Sequence, residues 1–424
     1  MHDFRVLRDQ VDLLRSAMQR RGKLDSLASL IDRGVELDVE RRAMIQAVEE
    51  RKASRNQNSQ EVARRKKNKE DAEALIGAGR ALGEEIARLE SELAASETEL
   101  HEILLELPNV TLDEVPAGDE TANRTEKSWG TPRDAAGCKP HWDLASALGI
   151  LDLERGAKIS GSGFVVLRGQ GARLVRALMN FFIDVHTREH GYEEVWVPVV
   201  VNRQTMIGTG QLPKFEEDMY ALREEGMYLV PTAEVPVTNL YRDEMLDAAQ
   251  LPRGFVAYTP CFRREAGSAG KDTRGLLRLH EFDKVEIVRY TTPEQSPHEH
   301  EQLTRHAETL LERLGLAYRR VLLAAGDTGQ SSAKTWDLEA WAPGVGKWLE
   351  VSSCSTFTDY QARRANIRFR PAPGEKPRFI HTLNGSGLAF PRVIACLLEV
   401  YQQPDGSVTV PEVLRPYLGT DVLK

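Results

Sequence analysis

Between Leu82 and Leu107 the apolar positions fall at Leu82, Ile86, Leu89, Leu93, Leu100, Ile103 and Leu107, with polar Ser96 keeping the phase. Steps of four and three put these positions on one stripe of a helix, the a/d pattern of a coiled coil, and Pro108 predicts its end. The preceding stretch, from Asp25 to about Lys67, is also helical in composition but less regular. Leu30, Leu37 and Met44 keep a seven-residue step there before polar residues take over. No proline occurs before Pro108. Two helices joined near Asn68–Asp71 predict an antiparallel hairpin. About forty residues at ~1.5 Å each would carry it roughly 60 Å. A lone seam of that length buries little per residue, which predicts a projecting arm.

From Pro108 to about Pro140 the chain turns rich in proline, glycine and acid, as expected of a linker, so the predicted domains are 1–108 and 109–424. In the second domain GSGFVVLRGQG (161–171) matches neither phosphate-loop spacing, and tight turns account for its glycines. A helix is predicted over Ala172–His190, with Leu174, Leu178, Phe181, Phe182 and Val185 on its apolar side and Gly191 as its stop. A strand over Tyr192–Val197 should end at Pro198, at a sheet edge or a terminus. Ser296, Pro297 and Glu299 predict a capped helix start, which is a better account of SPHEHE than a metal site built on its two histidines.

The stretch Phe262–Glu286 carries the most chemistry. It reads as two strand-like ends around a glycine-rich middle, GSAGKDTRG. Strand alternation predicts that Arg263 and Glu265 share a face, as do Arg278, His280, Phe282, Lys284 and Glu286. Such a face suits a triphosphate, a purine and an ammonium group held together, although a solvated hairpin accounts for the same charges. In YLVPTAEVP, Thr232 and Glu234 would share a strand face, with a surface strand as the plain reading. Glu350 and Ser353 are three apart, so both can meet one ligand only through a bulge or turn. Arg392 falls in the first turn of a helix predicted after TLNGSG, where the helix dipole disfavours a cation unless an anion is present.

The chain has 424 residues and a formal charge of −8, which argues against general nucleic-acid binding. Locally the picture differs. Between Arg51 and Lys69 eight basic residues (Arg51, Lys52, Arg55, Arg64, Arg65, Lys66, Lys67 and Lys69) face one acid, Glu61. A cluster of that kind at an arm's tip predicts contact with a polyanion. Cys138, Cys261, Cys354 and Cys396 lie far apart, so free thiols are expected. Asp3, Asp9 and Asp12 with no apolar run predict no secretory signal, and no apolar stretch is long enough to span a membrane. A cytoplasmic protein with no membrane partner is expected.

Taken in chain order, these segments resemble the seryl-tRNA synthetases, class II aminoacyl-tRNA synthetases of bacterial type. The helix and strand ending at Pro198 resemble the first class motif, the hairpin from Phe262 the second, and the helix with Arg392 the third. TAE (232–234) and NGS (384–386) resemble features particular to this family. The resemblance implies an α+β fold, with a tRNA-binding antiparallel coiled-coil arm and a catalytic domain of antiparallel sheet flanked by helices. It implies a homodimer that activates L-serine with ATP and Mg2+ and loads tRNA(Ser), and also tRNA(Sec).

The resemblance also assigns site residues. Arg263, Arg392 and Glu350 are the catalytic set. ATP falls to Arg263, Arg264, Glu265, Phe282, Glu350, Val351, Ser352, Ser353 and Arg392, with Glu350 and Ser353 holding magnesium. Serine falls to Thr232, Ala233, Glu234, Arg263, Glu286, Asn384 and Ser386. The tRNA falls to Arg51, Lys52, Arg55, Arg64, Arg65, Lys66 and Lys67. Arg264 stands where the family usually has serine, and strand alternation points it away from Arg263 and Glu265. Two other readings are a synthetase-like protein loading a non-tRNA carrier and a non-catalytic coiled-coil RNA-binding protein.

Overall fold

A computed structural model describes residues 1–266 and 274–424, so most of the expected GSAGKDTRG turn lies outside the described residues. The chain forms two compact units, Met1–Pro108 and Asn109–Lys424. The first is built on two long helices, α1 (Leu24–Lys67) and α2 (Glu73–Glu106). Cross-helix pairs fix their direction. Arg33 meets Glu99, Arg41 meets Glu97 and Arg51 meets Glu85, so partner numbers fall on α2 as they rise on α1. The helices are therefore antiparallel. On α2 every position of the four-three series is buried or half-buried. On α1 the seam is offset from the expected one. Ile31, Gly34, Leu37 and Val48 are buried, while Leu30 and Met44 are only half-buried. Gly34 explains the offset, because a Cβ there would sit 3.1 Å from Leu7 Cδ1, so a small residue lets the N-terminal segment close on the helix. Nearer the hinge the seam turns polar, and Asn58 Nδ2 donates to Leu75 O at 2.7 Å.

The second unit is organised by an eight-stranded sheet. In chain order its strands are β1 (Arg124–Trp129), β2 (Glu193–Glu194), β3 (Arg253–Phe262), β4 (Glu281–Thr291), β5 (Tyr318–Leu322), β6 (Lys334–Ala342), β7 (Lys347–Thr356) and β8 (His381–Ala389). Their spatial order is β1-β5-β6-β7-β8-β4-β3-β2. All pairs are antiparallel except β2 with β3. Helix α3 (Gln170–Arg188) buries Leu174, Leu178, Phe181, Phe182 and Val185, the predicted stripe. The strand expected over Tyr192–Val197 shrinks to β2, at the sheet edge before Pro198. Gly163 serves a turn: its φ is +83° and a Cβ would meet the His280 ring at 2.4 Å.

Three local expectations are corrected. The hairpin pairing runs from Tyr290↔Arg253 to Glu281↔Phe262, so Arg263, Glu265, Arg278 and His280 lie beyond the strands. Glu265 takes a φ of 52°, which breaks extended geometry there. Thr232 and Glu234 do not share a strand, because the strand Met227–Leu229 has ended and Glu234 opens a short helix, Glu234–Thr238. Helix α4 (Ser296–Arg313) has Gln295, not Ser296, at its N-cap and no side-chain cap. Ser296 instead faces Thr356, and Glu299 is drawn into an ion pair with Arg289. Helix α5 (Phe390–Tyr401) follows β8 directly and completes the layer over the sheet.

Candidate active site

One face of β4 carries Phe282, Lys284 and Glu286 two residues apart, and Glu286 stands opposite Ser386 on β8. Beside them, β6 and β7 slip register by one residue. Leu338 pairs with Ser352 but Glu339 pairs with Glu350, leaving Val351 as the extra residue of a bulge. The bulge anticipated from the Glu350–Ser353 spacing is thus present. It brings Asp337, Glu339, Glu350 and Ser353 to one face. Together these strands floor a cleft of about 700 Å3.

One end of the cleft is a buried acidic pocket. Thr232 Oγ1 donates to Glu286 Oε2 at 3.1 Å and accepts from Glu234 N at 3.2 Å. Lys284 makes an ion pair with Glu286, and both side chains are almost wholly buried. Gln361 Nε2 donates to Glu234 Oε1 at 2.7 Å. Burial and then the neighbouring Glu286 push the Glu234 carboxyl up to about 7, against the pull of the Gln361 hydrogen bond.

The other end is a cationic and aromatic frame. The Arg263 guanidinium lies 5.1 Å from the Phe282 ring centroid, a cation–π arrangement. Arg278 pairs with Glu265. Arg392 donates to the Glu350 carbonyl at 2.8 Å, to its Oε2 at 3.3 Å and to Leu277 O at 3.2 Å. The adjacent residue is held as firmly. Leu276 N donates to His141 Nε2 at 3.0 Å, and His141 Nδ1 lies 2.8 Å from Glu399 Oε1. Glu399 is fully buried and also accepts from Gly344 N and Val345 N. Helix α5 therefore clamps the returning loop at 276 and 277, directly through Arg392 and through His141 by way of Glu399.

Residues 1–111 match the Seryl-tRNA synthetase N-terminal domain, and residues 215–401 match the tRNA synthetase class II core domain (G, H, P, S and T). The chain is 65% identical over 424 residues to the serine–tRNA ligase of Gemmatimonas aurantiaca, covering 100% of both chains. The chain belongs to the seryl-tRNA synthetase family. The ligase of Geobacillus kaustophilus is 54% identical to this synthetase over 428 residues, again with 100% of both chains covered. Among solved structures, seryl-tRNA synthetase from Pyrococcus horikoshii complexed with ATP superposes on the synthetase with a TM-score of 0.95 and 37% identity, covering 100% of this chain and 99% of that one. A cytoplasmic serine–tRNA ligase from Naegleria fowleri in complex with AMP gives a TM-score of 0.89 at 30% identity, with the same coverage.

In this synthetase the cleft brings together Thr232, Glu234, Arg263, Glu265, Phe282, Glu286, Glu350, Val351, Ser352, Ser353, Asn384, Ser386 and Arg392. It does not include two of the expected residues. Ala233 is fully buried in the apolar core, and Arg264 turns outward, its Nη1 donating to Glu217 O at 3.0 Å. His300 of the SPHEHE segment is buried with Nε2 2.9 Å from Cys354 O, and burial pushes its ring down to about 4. The sequence reading gave no role to Asp337, Glu339 or Gln361. Asp337 and Glu339 show a strand alternation that was open to detection, whereas Gln361 carries no local signal. Asp337 is held well above the usual carboxylate range by burial and then by Glu350.

In the other unit, Arg51 and Lys52 are paired with Glu85 and Glu90, and Arg64 and Arg65 with Glu61. Among the described residues Arg55, Lys66, Lys67 and Lys69 are exposed and have no ion-pair partner.

Because Arg264 contacts the Glu217 carbonyl rather than the cleft, Arg264→Ser is expected to keep serine-dependent pyrophosphate exchange within about threefold of the parent, less than one hydrogen bond to a charged group is worth at most sites. A larger loss, measured at saturating ATP and serine, would place that side chain in the site after all.

Proposed function

We infer that the cleft is where this enzyme joins L-serine to ATP and passes the seryl group to the 3′ end of tRNA(Ser). The observation that carries the reading is the junction of a buried acidic pocket, Glu234 with Glu286, to the Arg263–Phe282 stack in one cleft. The pocket suits an ammonium and a hydroxyl, and the stack suits a purine beside a phosphate. In the first step a serine carboxylate oxygen bonds to the α-phosphorus, the bond from that phosphorus to the bridging oxygen breaks, and pyrophosphate leaves. The carboxylate is already ionised at neutral pH, so no general base is required. What the residues supply is alignment and charge.

Arg263, between the pocket and the ring, takes the serine carboxylate and α-phosphate. Phe282 stacks on adenine and Glu265 accepts from its amino group. Arg392 sits in the first turn of α5, where the dipole favours an anion, and clamps the terminal phosphate. Thr232, Glu234, Glu286, Asn384 and Ser386 surround serine. A deeply buried carboxylate left without its hydroxyl partner is costly, which disfavours alanine.

Magnesium fits the donors present. Glu350 and Ser353 offer oxygen ligands, and the nearby Asp337 Oδ1 is buried without a hydrogen-bond partner among the described residues. Glu350 and Ser353 would hold the ion, which when bound offsets phosphate charge.

The arm receives the tRNA. Its match to the family's N-terminal domain supports a tRNA rather than another carrier, and a cleft carrying all three catalytic residues speaks against a non-catalytic relative. The lysines at the hinge supply phosphate contacts. Dimerisation through the β2 edge is supported by Trp196, 80% exposed just past that strand. A cytoplasmic location is supported by four free cysteines, three of them buried. No helix among the described residues is long and apolar enough to cross a membrane.

Arg392→Ala should slow pyrophosphate exchange about a hundredfold or more, the scale of losing one positioned charge in the transition state; an unchanged rate would remove Arg392 from the reaction. Replacing Lys66, Lys67 and Lys69 together by alanine should leave exchange intact and raise the KM for tRNA by about tenfold or more at physiological salt. Equal tRNA KM values in parent and triple variant would sink the role of the hinge. Light scattering should give twice the chain mass, and Trp196→Glu should halve it; a monomeric parent would refute the dimer.

A further inference from the structure

Gln361 lies in the short helix Tyr360–Arg364 and is completely buried. Its carboxamide is fixed at every corner. Nε2 donates to Thr209 O at 3.1 Å and to Glu234 Oε1 at 2.7 Å, while Oε1 accepts from Thr382 Oγ1 at 2.7 Å. A backbone carbonyl can only accept, so the contact with Thr209 O settles which end of the amide is nitrogen. Glu234 Oε1 therefore always faces a donor and never carries the carboxyl proton. The remaining oxygen, Oε2, has no hydrogen-bond partner among the described residues and belongs to a side chain that lines the cleft.

We propose that Gln361 is a positioning residue for serine recognition, holding Glu234 so that Oε2 is the oxygen offered to the substrate. The proposal rests on reading the Glu234–Glu286 pocket as the serine subsite. Without this amide the Glu234 carboxyl is free to turn, and its proton can sit on either oxygen.

The charges around Glu234 make the consequence measurable. Glu286 and Lys284 face it from β4 and Arg263 from the loop beyond β3, with burial and Glu286 disfavouring the anion and Gln361, Lys284 and Arg263 favouring it. A protonated Oε2 donates where serine needs an acceptor. Serine capture should therefore rise with pH through a limb near 7, where Glu234 ionises. Removing the Gln361 donor withdraws one of the influences that favour the anion, so the limb must move to higher pH.

The test is pyrophosphate exchange by the full-length enzyme from pH 5.5 to 9, comparing the parent with Gln361→Met, which keeps length and volume but has no amide. The expected result is a serine KM raised about tenfold or more, an ATP KM within about twofold, and the limb of kcat/KM for serine shifted up by about one unit. An amide with a merely structural role would not move that limb. An unmoved limb with an unchanged serine KM would overturn the proposal. Glu234→Gln separates the two claims, because an unaltered serine KM there would remove the subsite reading itself. Should Gln361→Met fail to fold, Thr382→Val, which frees the amide's oxygen end, decides by the same two readouts, with a shift in the same direction supporting the proposal and none refuting it.

Discussion

The cleft is governed by an imbalance of buried charge. Glu234 and Glu286 sit within one pocket, and Lys284 pairs with only the second of them. Raising Glu234 from the usual 4.5 to about 7 corresponds to roughly 3 kcal/mol against ionisation, at about 1.4 kcal/mol per unit. The protein carries that cost in the absence of ligand, and a cation entering the pocket relieves it. Much of the surrounding architecture keeps the imbalance in place. Gln361 pins one carboxylate, Thr232 bonds the other while accepting from Glu234 N, and β4 and β8 hold Glu286 opposite Ser386.

The arm handles charge in the opposite way. Its helices pair four bases with four acids across the seam, Arg33–Glu99, Arg41–Glu97, Arg51–Glu85 and Lys52–Glu90. These pairs are exposed to solvent, so each adds little to stability. Acids outnumber bases along the rest of both helices, so the shaft is net negative and the positive potential is confined to the hinge. An acidic protein can thereby present a localised cationic surface to a polyanion.

Much of this was legible in the sequence. The four-three step from Leu82 to Leu107 specified α2, and the Glu350–Ser353 spacing left a bulge or a turn as the way for both to meet one ligand, of which the register shows the bulge. Alternation from Phe282 to Glu286 named one wall of the cleft. The failures have a common cause. Alternation was extended past Phe262, where the strand ends, to Glu265, whose backbone is left-handed, and to Thr232–Glu234, where Glu234 opens a short helix. Both segments are short, and each is decided by contacts to distant residues. Gln361 shows the limit most clearly: its partners lie at Thr209, Glu234 and Thr382, and only the folded chain brings them together.

The bulge at Val351 makes the register of two strands part of the site. Were β7 to pair regularly with all its residues kept, Val351 would stand opposite Glu339 and Glu350 would move to a place opposite Ala340. Ala340 and Leu338 belong to the buried apolar core, so the carboxylate would leave the cleft and enter the least hospitable place in the fold. With two residues between them, Glu350 and Ser353 can therefore share the cleft face only while the ladder keeps its slip. The register of this ladder, as much as the identity of the side chain, is what holds the carboxylate at the cleft.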